Sequence, residues 1–314
     1  MALYRVGNSK ELDYNMDNRD SKHGKLLPCT EDRIDSGLDS LKDEEYNGIV
    51  NEMERLKMNP AEATADYCNE PWKLELTEDG DTLLHLAIIH EATDYATKMI
   101  EHSRNDPFLN TQNNQRQTPL HLAVIMEQPQ IVDRLLKAGC DPRMVDECGN
   151  TALHIACKKG SLHCFSVLTQ GCTQQLPSIL ATTNYNGHNC LHLVSIHGFL
   201  SLVERLIELG ADINAQEQCN GRTPLHLAVD LQNLDLVRLL ISKGANVNSL
   251  TYGGYTPYHL TYGRQNMEIQ QHLYELTAQE LRDLPESEDE ESDEEPLSEE
   301  DDQMYDDFLW MGQK

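Results

Sequence analysis

Two serines stand beside acids in the stretch Asp35-Ser36-Gly37-Leu38-Asp39-Ser40. Unmodified, they are solvated polar residues. Phosphorylation would add about −1.5 to −2 charges and three strong acceptor oxygens to each, a shape suited to an Arg-lined pocket. Gly37 allows a sharp bend between the two phosphates, and Leu38 can enter an apolar pocket. Thirteen His and nine Cys offer a second chemistry, metal ligation. His188, Cys190 and His192 lie close together, but His192 belongs to a recurring histidine series and reads as a capping residue. Cys140, Cys148, Cys157 and Cys164 lack the paired spacing of a structural zinc site. The third group is carboxylate: residues 283–307 hold fifteen Asp and Glu and no Lys or Arg. Carboxylates on a low-complexity tail cannot hold a catalytic geometry. No Walker-type phosphate loop, GxSxG elbow or kinase signature set occurs. These residues predict no enzyme, no metal and no cofactor.

The elements that carry them are written in a repeat. The phrases GDTLLHLA (80–87), RQTPLHLA (116–123), GNTALHIA (149–156), GHNCLHLV (187–194), GRTPLHLA (221–228) and GYTPYHLT (254–261) place one histidine each, at His85, His121, His154, His192, His226 and His259. The spacings are 36, 33, 38, 34 and 33 residues. Thr82, Thr118, Thr151, Thr223 and Thr256, with Asn189 in the fourth copy, suit helix N-caps. Pro119, Pro224 and Pro257 follow at the first helical position. Leu120, Ala123 and Val124 share one face of a short helix. A second helix reads IVDRLL (131–136), LVERLI (202–207) and LVRLLI (236–241). Gly139, Gly171, Gly210 and Gly244 are expected to end helices in a left-handed conformation.

This pattern resembles the ankyrin repeat, with its period near 33 and its T-P-L-H-x-A signature. It implies an all-α repeat fold, an ankyrin solenoid of six helix-turn-helix units with hairpin fingers and a concave recognition face. The units are placed at about 80–112, 116–148, 149–186, 187–220, 221–253 and 254–282, within a repeat region of 75–282. A flexible arm of 1–70 precedes them, and an acidic PEST-like tail of 283–314 follows. The segment CTQQLPSILATTNYN (172–186) is an insertion, expected to form a longer finger loop. The sixth copy has Tyr258 and Thr261 where core Leu and Ala usually sit, which suits a terminal cap with a polar outer face and weaker cooperativity.

With the arm motif DSGLDSLKDEEY (35–46), six repeats and the tail start LPESEDEES (284–292), the chain resembles the IκB family of NF-κB inhibitors. That resemblance implies binding to NF-κB/Rel dimers, with the first two repeats over the dimer's nuclear localisation segment. The sixth repeat and the tail would face its DNA-binding surface. Glu286, Glu288, Asp289, Glu290, Glu291 and the acids beyond them would compete with DNA phosphates. Ser36 and Ser40 would be phosphorylated by the IκB kinase complex. The phosphorylated segment, with Asp35, Gly37, Leu38 and Asp39, would be read by the β-TrCP ubiquitin ligase. Ubiquitin on Lys25 or Lys22 would lead to the proteasome; the family has adjacent lysines there, whereas this chain separates them. Tyr46 matches a tyrosine-phosphorylation position and otherwise reads as a helix-face aromatic. Ile49, Met53, Leu56 and Met58 resemble an export signal read by an export receptor; a plain helix packing on the first repeat fits the spacing as well. Ser287, Ser292 and Ser298 precede acids, as casein kinase II requires. Asn214 and Asn248 match repeat asparagines open to hydroxylation, and otherwise shape finger turns.

Composition bounds the alternatives. The formal net charge is −28, from 25 Lys and Arg against 53 Asp and Glu. Direct nucleic-acid binding is excluded on that balance, because phosphate contact needs Lys and Arg. No apolar run reaches the roughly 18–20 residues of a membrane span. The start lacks the apolar stretch of a signal peptide, so the expected location is the cytoplasm with passage through the nucleus. Free thiols in a reducing compartment fit the odd, scattered cysteines. A general ankyrin adaptor for unrelated partners and a nuclear co-regulator remain as other readings; the arm motif argues against the second.

Overall fold

The computed structural model describes residues 71–284. Each unit begins with a turn, a short helix and an antiparallel second helix. The pairs are α1 (Leu83–Ile89) with α2 (Thr93–His102), α3 (Pro119–Ile125) with α4 (Pro129–Ala138), and α5 (Ala152–Lys159) with α6 (Leu162–Gly171). After an extra helix, α7 (Leu176–Ala181), come α8 (Cys190–Ile196) with α9 (Leu200–Glu208) and α10 (Pro224–Asp230) with α11 (Leu234–Ser242). The sixth unit pairs a 3-10 turn, His259–Thr261, with α12 (Met267–Leu276).

The first helices are only seven or eight residues long, too short to be stable alone. Reciprocal caps compensate. Thr118 N–H donates to His121 Nδ1 (3.1 Å), and His121 N–H donates to the Thr118 hydroxyl. The same box closes at Thr82, Thr151, Asn189 and Thr223. Stacking does the rest: α1 packs on α3, α3 on α5, α5 on α8, and α8 on α10. Leu84, Leu120, Leu153, Leu191 and Leu225 form one buried row through these helices. Leu135, Leu168, Leu206 and Leu240 form a second through α4, α6, α9 and α11. Each full Leu burial contributes about 1.5–3 kcal/mol, and no unit has both walls of its core without a neighbour.

Several sequence expectations need correction. Gly139, Gly210 and Gly244 are left-handed as expected, but Gly171 is the last residue of α6 and keeps a helical conformation. No reversal is needed there, because the chain continues into the insertion. That insertion is a helix rather than a loop: Leu176, Ile179 and Leu180 recur at helical spacing and are buried, and Pro177 sits harmlessly in the first turn. Pro257 does not open an α-helix; only a single 3-10 turn follows it, with the bulky Tyr258 in the Leu position and a left-handed Gly263 close behind. The outer surface of that unit is polar as expected, with Arg264, Gln265, Glu268, Gln271 and Glu275 exposed, but it also displays Tyr255, Tyr262 and Tyr274. The fingers are tight turns, and among the described residues the one strand-type pairing is a single bridge between Leu76 and Thr82. Cys140, Cys157, Cys164, Cys172, Cys190 and Cys219 are free thiols. Among the described residues no helix is long and apolar enough to cross a membrane.

Candidate partner-binding surface

The repeat histidine does two jobs. Its Nδ1 accepts from the cap N–H, so the proton resides on Nε2, which donates to the unit that follows. His85 Nε2–H reaches Gln117 O (3.1 Å), His121 reaches Asn150 O (3.1 Å), His154 reaches Thr182 O (3.2 Å), His192 reaches Ala215 O (3.0 Å) and His226 reaches Tyr255 O (3.1 Å). Burial holds His85, His192 and His226 at a pKa of about 4, and lowers that of His121 as well. With both nitrogens of His192 engaged, no lone pair is left for a metal beside His188 and Cys190. Among the described residues, no group of three or more His, Cys, Asp or Glu is placed to hold a metal ion.

These bonds fix the fingers in a row. Within a finger, a backbone loop closes on itself, as in Asn184 N–H to His188 O (2.9 Å) and Thr251 N–H to Tyr255 O (2.9 Å). Between fingers, one backbone bond links each tip to the one before. Asn114 N–H donates to Asp79 O, Glu147 to Gln115 O, Tyr185 to Cys148 O, Gln218 to Gly187 O and Tyr252 to Asn220 O. The side chain at each tip lies on the glycine of the preceding finger. At Gly149 a Cβ would meet the Tyr185 ring at 2.7 Å, and at Gly221 the Tyr252 ring at 2.5 Å, so both glycines are required on space as well as on their positive φ. The outer faces of these rings remain open: Tyr185 is 58% and Tyr252 64% exposed.

Finger two differs from the others. Arg116 takes the left-handed position that glycine fills elsewhere, at φ +58°, and its guanidinium donates to Tyr185 Oη (3.1 Å) across the intervening finger. Conformational strain of this kind costs about 1–2 kcal/mol and places a cation on the row. The result is a pre-formed edge carrying two open tyrosines and one arginine, residue types that dominate binding energy at protein interfaces. It holds no nucleophile paired with a base, so its chemistry is recognition.

Asn214 and Asn248 are used for stacking. Asn214 Oδ1 accepts from Asn246 N–H (2.8 Å) and Asn248 Oδ1 from Ala278 N–H (2.9 Å); Asn110 Oδ1 does the same for Asp141 N–H (2.8 Å). These bonds tie the fingers of successive units together. The other predicted site residues, from Lys22 and Lys25 through Ser36, Ser40 and Tyr46 to Met58, and from Glu286 to Ser298, lie outside the described residues. Sequence reading missed the finger tyrosines and Trp72. The Trp72 ring stands edge-on to Phe108 (centroids 5.1 Å) and is buried against the first unit. The clue for Tyr185 and Tyr252 was a large aromatic two residues before each finger glycine, at Gly187 and Gly254.

Comparison with known proteins agrees with this architecture. A family model described as ankyrin repeats matches three times, at residues 47–146, 126–217 and 191–280. NF-kappa-B inhibitor alpha of Homo sapiens is 58% identical over 290 residues, covering 90% of this chain and 91% of the relative. NF-kappa-B inhibitor alpha of Mus musculus is 60% identical over 264 residues, covering 83% of each. Among solved structures, the ankyrin repeat domain of Bcl-3, described as a unique member of the IκB protein family, superposes with a TM-score of 0.59 at 36% identity. That match covers 63% of this chain and 87% of Bcl-3's domain. Identity at this level over nearly the whole of both chains exceeds what a shared repeat alone would produce, and it makes this chain a member of the IκB family of ankyrin-repeat proteins.

Proposed function

We propose that this chain inhibits NF-κB by binding Rel dimers along its finger row and helix faces. The observation that carries the reading is the end-to-end likeness to proteins named NF-kappa-B inhibitor alpha, at 58–60% identity. The linked finger row supports it, being a rigid aromatic edge built to meet another protein. The packed units supply specificity, while the acids beyond Asp283 raise the association rate and oppose DNA phosphates for the same basic groups. The first two units cover the dimer's localisation segment, which keeps the dimer in the cytoplasm, and the sixth unit lies towards its DNA-binding face.

Control is assigned to the arm. Phosphorylation of Ser36 and Ser40 by the IκB kinase, reading by β-TrCP, ubiquitination at Lys25 or Lys22 and proteasomal destruction would release the dimer. Casein kinase II at Ser287, Ser292 and Ser298 would set turnover, and Ile49, Met53, Leu56 and Met58 would return the complex from the nucleus. A competition assay tests the central reading: this chain, a Rel dimer and its DNA site, followed over salt concentration. Displacement of DNA that weakens with salt is expected. A chain ending at Leu284 should keep most dimer binding and lose displacement. Failure to bind any Rel dimer would leave the adaptor reading in its place. Replacing Ser36 and Ser40 by Ala tests the control separately, with persistence after stimulation as the expected result.

A further inference from the structure

The end of the stack is chemically unfinished. Five capping histidines donate from Nε2 to the next unit. His259 is held by the same cap, since Thr256 N–H donates to its Nδ1 at 3.0 Å, so its Nε2 also carries the proton. That Nε2 is buried and meets no acceptor, and the nearby unit end leaves Thr277 Oγ1 buried and unpartnered as well. Around the imidazole stand Tyr255, Tyr258 and Tyr262, with ring centroids 6.2, 6.1 and 5.9 Å away. Tyr262 and Tyr274 are 40% and 48% exposed, and Leu276 and Leu284 are exposed beside them. A buried N–H without an acceptor costs roughly 1–3 kcal/mol and persists where a partner can relieve it. This face has the donor and the apolar surface of a stacking interface, and among the described residues no seventh unit stacks on it.

The chain itself supplies a candidate cover. It leaves this end at Leu284, runs through the acidic residues 285–307, and then reads Phe308-Leu309-Trp310-Met311. We propose that this apolar segment folds back onto the open end of the stack. A backbone carbonyl of the segment would accept from His259 Nε2 as Tyr262 swings aside, with Phe308 and Trp310 against Tyr262 and Tyr274. Twenty-three residues separate Leu284 from Phe308. A flexible tether of that length spans roughly 26 Å, against the ~10 Å spacing of packed helices, so reach is ample. Tethering holds the segment at an effective concentration of order millimolar. A second copy of the chain is the weaker occupant, because each copy carries −28 and the two repel. Arg282, whose guanidinium lies 4.2 Å over the Tyr274 ring, is the cation nearest the start of the acidic run. This inference is independent of Rel binding.

The chain's two tryptophans make the test direct. Trp72 is buried at the opposite end of the stack, so subtracting the emission of a Trp310→Phe chain from that of the full chain isolates Trp310. A Trp72→Phe chain gives the same signal without subtraction. Docking predicts a blue-shifted Trp310 emission and several-fold weaker acrylamide quenching than in a free peptide of residues 304–314, both independent of protein concentration. Tyr262→Ser together with Tyr274→Ser should return both to peptide values. Amide exchange across Met267–Leu276 should quicken in a chain ending at Asp307. Peptide-like emission in the full chain overturns the proposal. So does a shift that grows with concentration, which would mean a second copy, or one that survives the tyrosine substitutions, which would mean docking elsewhere.

Discussion

Mild acid should loosen this protein through its own capping histidines. His85, His192 and His226 sit at a pKa of about 4 in the folded chain, because burial disfavours the imidazolium. The unfolded value is about 6.5. A depressed folded pKa means that the unfolded chain binds more protons between the two values. Stability is therefore fully present above about pH 6.5 and falls as the pH drops towards 4. At pH 5.5 one such histidine has lost about 1.4 kcal/mol, against less than about 0.1 at pH 7.5, so three together lose about 4 kcal/mol. His121, lowered in the same direction, adds to this, while two groups act in the opposite sense: the raised carboxyl of buried Asp81, and His154, where burial lowers the pKa but Cys190 beside it raises it further. Most carboxylates titrate near 4, below this window, so the histidines dominate it. A domain of ordinary stability, about 5–15 kcal/mol, would feel a loss of 4 plainly. Urea unfolding followed by circular dichroism at pH 7.5 and 5.5 measures it, and the midpoint should fall. His226→Gln should remove about a third of the pH dependence. An unchanged or higher midpoint at pH 5.5 would refute the assignment of neutral, doubly bonded imidazoles.

Three further perturbations probe separate levels of the structure. Gly149→Ala combines a φ of +77° with a Cβ 2.7 Å from the Tyr185 ring, and should cost about 2 kcal/mol or more in urea unfolding. Trp72→Ala removes the buried cover of the first unit at up to about 3–5 kcal/mol; amide exchange should quicken over Leu83–Ile89 and change little over Pro224–Asp230. Asp230 accepts from Arg222 (3.2 Å) and from Arg264, joining the fifth and sixth units. Asp230→Asn should cost about 1 kcal/mol, discounted for the partial exposure of both arginines. Faster exchange over Met267–Leu276, shrinking at high salt, is the expected sign.

What the chain spells out plainly is whatever lies within one period. Thr118 and His121 are three residues apart, and that spacing alone dictates a capping box. Gly139, Gly210 and Gly244 announce helix ends because no other residue takes a left-handed turn so cheaply. The same glycine signal misleads at Gly171, where the following residues decide the conformation. Leu176, Ile179 and Leu180 carry a helical spacing of their own, obscured by the extra length of the segment, which by itself suggests a loop. Contacts between periods are harder to see. Tyr185 lies on Gly149 across 36 residues, and the donor on His226 finds its acceptor at Tyr255, 29 residues on. Only stacking brings such pairs together, so the finger edge becomes visible with the structure.

The orphaned donor on His259 follows from that same logic. A repeat sequence copies its interface groups into every unit, whether or not a neighbour follows. At internal positions the imidazole is capped and bonded on both nitrogens. At the last position the cap survives, since Thr256 and His259 lie within one unit, while the acceptor vanishes, since it belonged to the next. Evolution can remove the donor, cover it, or leave it for a ligand. Here the histidine is kept, and aromatic rings surround it. An end finished for solubility would expose polar side chains and leave no buried N–H behind. This end exposes polar side chains but also keeps a buried N–H beside exposed tyrosines, and a covering segment explains that pair better than an isolated cap does.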